Sequence, residues 1–188
     1  MFEGILGDIS DYKNNSDLLY IFLGILIIDI SVLFLTRYFP DTVGGKYLNV
    51  WYNRFDILAV ISDVFIIGLG FIITRFLYTF FFASSLGWSI THFLLLLIIV
   101  QALHDAFFYL GVINQLPRGH NEMIDVFQDY AKDGGYKVIV GDAFLMLGSA
   151  VVAMILKEQP DSVVQLLAAL TVYTAPYILY TRNKYSDF

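Results

Sequence analysis

Four carboxylates interrupt apolar stretches of the chain: Asp29, Asp63, Asp105 and Asp142, with His104 directly before the third. A charged side chain at the middle of a bilayer costs roughly 3 kcal/mol on insertion scales, so such residues face a protein interior, a wet cavity or a partner. Three kinds of chemistry suit this set. Asp63, His104, Asp105 and Asp142 could ligate a divalent cation, since carboxylate oxygen and imidazole nitrogen are the usual ligands where cysteine is absent. The same groups, with Asp29 continuing toward the far side, could pass protons, because clustered acids perturb one another and histidine titrates near neutrality. They could also act as metal ligands or as general acid and base on a lipid-like substrate. A fourth reading is structural: the acids only hydrogen-bond helices together in a membrane component.

Five apolar runs must position them, at about 20 residues per crossing. They cover 18–38, 55–74, 88–113, 137–157 and 162–181. Pro40 with Gly44 and Gly45, Pro117 with Gly119, Gly134 with Gly135, and Pro160 punctuate their ends, with Asp161 or Ser162 as the N-cap of the last. At 1.5 Å per residue, Asp63 and Asp105 lie roughly 12 Å inside their helix ends and Asp142 roughly 8 Å, all on one side of the bilayer. Asp29 is nearer the midplane, and Asp56 reaches the interface.

Helical spacing groups the polar residues into stripes. On the second run Asp56, Asp63, Gly70 and Thr74 fall on one face. Gln101, His104, Asp105 and Phe108 do so on the third, and Asp142, Met146, Ser149 and Ala153 on the fourth. On the fifth, Gln165, Ala169, Val172, Tyr173 and Pro176 form a face with a polar entry. Turned inward, these stripes would enclose one polar pocket open to the cytoplasm, with His120, Gln101 and Asp56 at its rim. The expected fold is an all-α polytopic bundle, one transmembrane domain of 188 residues.

Composition agrees. Hydrophobic residues make up 58% and charged residues 15%, against about 25% charged in a soluble domain. Cysteine is absent, which excludes disulfides and thiolate chemistry. The opening residues carry Glu3, Asp8 and Asp11 against Lys13, unlike the basic start of a cleaved signal. A net charge of −6 without a basic patch excludes nucleic acid as a partner. HExxH, GxSxG and P-loop patterns do not occur.

Five crossings place Lys13, Arg75 and Lys157 on one side and Arg37, Lys46, Arg54, Arg118, Lys132, Lys137, Arg182 and Lys184 on the other. The positive-inside rule then puts the N-terminus out and the C-terminus in. Arg75 reads as a side chain snorkelling from a helix end. The stretch 121–132 is too polar to span. Met123, Phe127 and Tyr130 recur in it at helical spacing, with Asn121 as a cap, so it reads as a short amphipathic helix folded over the cytoplasmic helix ends.

The strings YFPDTVGGKYLNVWYNRF, HDAFFYLGVINQLPRGHNEMIDVFQDYAKDGG and VGDAFLML resemble an uncharacterised family of small multi-pass membrane proteins encoded by giant DNA viruses. The resemblance implies a viral protein in a host or virion membrane and carries over no reaction. The leading expectation is a proton or cation pathway, a channel or transporter, through the acidic pocket. The half of the bilayer beyond it holds few polar groups, so a homo-oligomer would have to supply the remaining route.

Overall fold

A computed structural model describes residues 6–41 and 45–185; Glu3 and Gly44 lie outside them. The chain is 80% helix with no strand among the described residues. Five helices are long and apolar enough to cross a membrane. They include α1 (Asp17–Tyr38), α4 (Ile90–Phe108), α6 (Tyr136–Lys157) and α7 (Asp161–Leu179). The remaining span is α2 (Gly45–Leu77), which runs through a π-helical turn (Tyr78–Phe82) into the short α3 (Ala83–Leu86). A second π-helical turn, Tyr109–Ile113, extends α4. A helix of 22 residues is about 33 Å long, which matches hydrocarbon about 30 Å thick.

The amphipathic helix is α5 (Glu122–Gly134). Asn121 caps it, its side-chain oxygen accepting from the amides of Met123 at 2.9 Å and Ile124 at 3.2 Å. Glu122 and Asp125 sit in the first turn, where the helix dipole favours negative charge. The cap expected for the last span differs. Pro160 holds the cap position of α7 without a side-chain bond, and Asp161 is already the first helical residue.

α1 is the central element and packs on α6, α2 and α7, while α4 packs on α6 and α2. Close approach of α1 and α6 depends on Gly24. A Cβ there would lie 2.9 Å from the Ser149 carbonyl oxygen and 3.0 Å from the Ala153 nitrogen, the small-residue contact typical of membrane helices. Ile21, Ile25, Phe71, Phe93, Leu97, Met146 and Met154 fill the core beside it. Phe65, Phe107 and Phe144 point outward and are exposed, which suits lipid rather than water.

Two expectations from sequence are corrected. The second helix starts ten residues earlier than the apolar run at 55, and 75–87 is mostly helix rather than loop. Leu48, Trp51, Tyr52 and Phe55 have the spacing of an amphipathic helix and pack it down. On α7 the expected inward face is outward: Gln165, Ala169, Val172, Tyr173 and Pro176 are all exposed, and Val164, Ala175 and Leu179 are buried instead. The apolar side of α7 seeks α1, and the polar entry of the other stripe finds no partner among the described residues.

Candidate functional site

The site is organised by a break in α2. Asp56 has φ 47° and ψ −128°, a conformation that L-residues rarely adopt. On a straight helix Trp51 would stand twelve positions, about 18 Å, from Asp63. The break turns the first limb so that Trp51 Nε1 donates to Asp63 Oδ2 at 3.0 Å. The neighbouring Tyr52 hydroxyl donates to Asp29 Oδ1 on α1, also at 3.0 Å. Tyr52 and Asp29 are each 1% exposed. The same hydroxyl lies close enough to Asp63 to feel its charge, but its hydrogen bond goes to Asp29, so one phenol stands near two carboxylates. The second oxygen of Asp29 is buried without a hydrogen-bond partner among the described residues.

Toward the C-terminal end of the bundle the acids continue. Asp142 on α6 lies within electrostatic reach of both Asp63 and Asp105. Asp105 on α4 is held by the Gln101 side-chain amide and by His104, whose Nδ1 is 3.2 Å from Asp105 Oδ1. In the tautomer carrying its proton there, His104 donates. α5 adds Tyr130. Burial, and then the charges of Asp142 and Asp63, push its phenol up to about 12. The resulting file is His104, Asp105, Asp142, Asp63, Tyr52 and Asp29, drawn from four helices; hydrogen bonds join His104 to Asp105 and Tyr52 to Asp29, while Asp142 is linked to Asp105 and Asp63 by charge alone.

Sequence reasoning found the acids and missed Trp51, Tyr52 and Tyr130, the groups that connect them. Two expected rim residues fall outside the file. Asp56 is exposed at the break, which takes it out of line with Asp63, Gly70 and Thr74. His120 is exposed in the loop before α5. Gln101 is buried and serves Asp105.

Aromatic rings border the file, while His104 and Asp105 remain partly exposed at 32% and 25% of their side chains. Phe127 of α5 lies 4.8 Å from the Trp51 ring and 6.2 Å from Phe108, and His104 stacks on Phe108 at 5.8 Å. Grooves of about 230 Å³ between α4 and α6 and about 430 Å³ between α1 and α7 contain none of the acids. Among the described residues no three His, Asp or Glu side chains gather closely enough to hold a metal ion. Protein N–H and O–H groups already occupy lone pairs on Asp29, Asp63 and Asp105. The geometry therefore suits proton exchange better than cation ligation.

Comparison with protein-family models, curated proteins and solved structures finds no match.

Beyond Asp29 the interior turns dry. Ile21, Ile25, Phe71, Phe93, Leu97 and Met146 separate it from Asp17, twelve positions or about 18 Å away along α1. There a second polar cluster forms, and it overturns the reading of Arg75 as a snorkelling end. Arg75 is 1% exposed. It lies 3.6 Å from Asp17 and donates to the carbonyls of Asp11 and of Asn14, the latter at 2.7 Å. Lys157 pairs ionically with Asp17 at 2.7 Å and donates to the Asp8 carbonyl. Thr79 accepts from the Tyr12 amide at 2.8 Å and donates to the Ser10 carbonyl at 3.0 Å. Residues 7–16 are thus strapped across this end of the bundle. At the opposite end buried Arg37 ties Asn49, Asn53 and the Leu179 carbonyl together at 3.0, 2.7 and 3.0 Å.

Proposed function

We propose that the chain is an integral membrane protein that carries protons along the file from His104 to Asp29, between its C-terminal face and the middle of the bilayer. The observation that supports this reading is the buried Tyr52 hydroxyl, bonded to Asp29 with Asp63 nearby. A single hydroxyl that can donate to one carboxylate while accepting from the other is the element a proton relay needs. Protons are favoured over metal cations because Asp29, Asp63 and Asp105 are each met by a protein donor. The resemblance noted above implies a host or virion membrane as the setting.

The orientation that accompanies this reading puts the C-terminal face in the cytoplasm. Arg37, Arg75 and Lys157 are engaged inside the fold. That leaves Lys13 against Lys46, Arg54, Arg118, Lys132, Lys137, Arg182 and Lys184.

The dry layer of Ile21, Ile25 and Phe71 beyond Asp29 favours a second reading, a structural membrane component in which the acids join helices. Reconstitution separates the two. With the outer half of the route supplied between copies of the chain, the full chain in lipid vesicles, under a pH gradient with the potential clamped, should collapse the gradient faster than protein-free vesicles. Asp63→Asn should slow this about 100-fold or more, the order of effect of losing one proton-transfer group, while keeping its thermal unfolding profile. Vesicles no leakier than protein-free ones, or an unaltered Asp63→Asn, would leave the structural reading in place. Movement of sodium or potassium without pH change would replace protons by metal cations.

A further inference from the structure

α7 is the least apolar of the five spans, with mean hydropathy 1.5 against 2.0 to 2.7 for the others. It is also the least covered. Only 11% of its apolar window is buried inside the bundle, against 22% to 39% elsewhere. A lone bundle in lipid should show the opposite order, because the span richest in polar groups gains most from protein neighbours.

The exposed side is patterned. Gln165, Ala169, Val172, Pro176 and Tyr180 recur at spacings of four, three, four and four, the repeat of a helix–helix seam. Ala169 is small enough for close backbone approach. α7 has 19 residues, about 28 Å of helix, so Gln165 lies about one turn inside the hydrocarbon. Tyr173, 63% exposed, stands deeper, with Tyr177 one turn on and their rings 5.3 Å apart. The two tyrosine hydroxyls partner each other, whereas lipid tails offer the Gln165 amide no partner.

We infer that this face of α7 is the contact surface for a second copy of the chain, seated as a parallel two-fold pair. The occupant follows from the chemistry of Gln165. A carboxamide has both an acceptor oxygen and an NH₂ donor, so under a two-fold axis along the membrane normal it satisfies its own copy at the same depth. Across the seam Ala169 would face Ala169, where the backbones come nearest. This surface is separate from the acid file, and its test does not depend on proton movement.

The chain has no cysteine, so single substitutions report proximity without background. Ala169→Cys and, as a control, Phe144→Cys on the exposed face of α6 are placed in the full chain, reconstituted in phosphatidylcholine vesicles at high lipid-to-protein ratio and mildly oxidised. Ala169→Cys should form a covalent dimer and Phe144→Cys should not. Gln165→Leu, made in the Ala169→Cys chain, should weaken dimerisation about 3- to 30-fold, the range set by interhelical hydrogen bonds of roughly 0.6 to 2 kcal/mol, with unchanged thermal unfolding. A monomeric Ala169→Cys chain would overturn the inference in favour of lipid or a different protein on α7. Equal cross-linking at Phe144 would mark the dimers as collisions and overturn it as well.

Discussion

Tyr52, on the first limb of α2, donates its hydroxyl proton to Asp29 on α1 at 3.0 Å, with both side chains sealed from solvent. Removing the hydroxyl leaves a buried carboxyl group with no donor. Tyr52→Phe is expected to lower stability by about 1 to 3 kcal/mol, the cost of an unmet buried polar group. Asp29→Asn should cost less, since its amide oxygen still accepts from Tyr52. Unfolding in detergent, followed by circular dichroism, measures both.

Asp56 is the only described residue other than glycine with positive φ. Holding an L-residue there costs about 1 to 3 kcal/mol. Asp56→Gly should therefore hold or raise stability by about 1 kcal/mol, after the glycine's own entropy cost. Asp56→Val should lower it, and should also disturb the Trp51 contact with Asp63, seen as a shift in tryptophan fluorescence.

The spans were legible because each is a long apolar run, and α1 and α6 begin and end within about a residue or two of the expected boundaries. Asn121 was legible as a cap for the same local reason. The limb of α2 before Asp56 was not, because Lys46, Asn49, Asn53 and Arg54 read as a polar loop and the break has no sequence signature. With it went the partners of Asp63 and Asp29. Gly24 gave no signal, since its role depends on which face of α6 it meets. The outward stripe of α7 was legible as a face but not as to which partner it turns toward. Arg75 looked like a helix end because nothing local reveals that residues 7–16 fold back over it.

The Arg75, Asp17 and Lys157 cluster joins that strap to the bundle. Asp17 is fully buried and meets two cations. Asp17→Asn leaves both with carbonyl partners but no counter-charge, and should destabilise by about 3 to 5 kcal/mol. Amide exchange at residues 7–16 should accelerate more than exchange in α1. Uniform acceleration along the chain would show that the strap is not a separate unit.

Tyr130 gives a pH dependence with a definite sign. Its phenol titrates at about 12 in the fold and near 10 when unfolded. The unfolded chain therefore loses this proton first. The stabilisation is fully present below pH 10 and is lost as pH rises from about 10 through about 12. Stability of the native chain minus that of Tyr130→Phe should fall across this window, by up to about 3 kcal/mol. A flat difference would mean that Tyr130 is not buried against the bundle in solution.

The connection between Asp29 and Asp63 through Tyr52 is tested most directly by proton flux in vesicles from four proteins: native, Asp29→Asn, Asp63→Asn and the double variant. Groups in one file fail together. Each single variant should be slow, and the double variant should be no slower than the slower single one, a strongly non-additive cycle. Rates that multiply, with the double variant slowed by the product of the two single effects, would show two independent acids and contradict the relay.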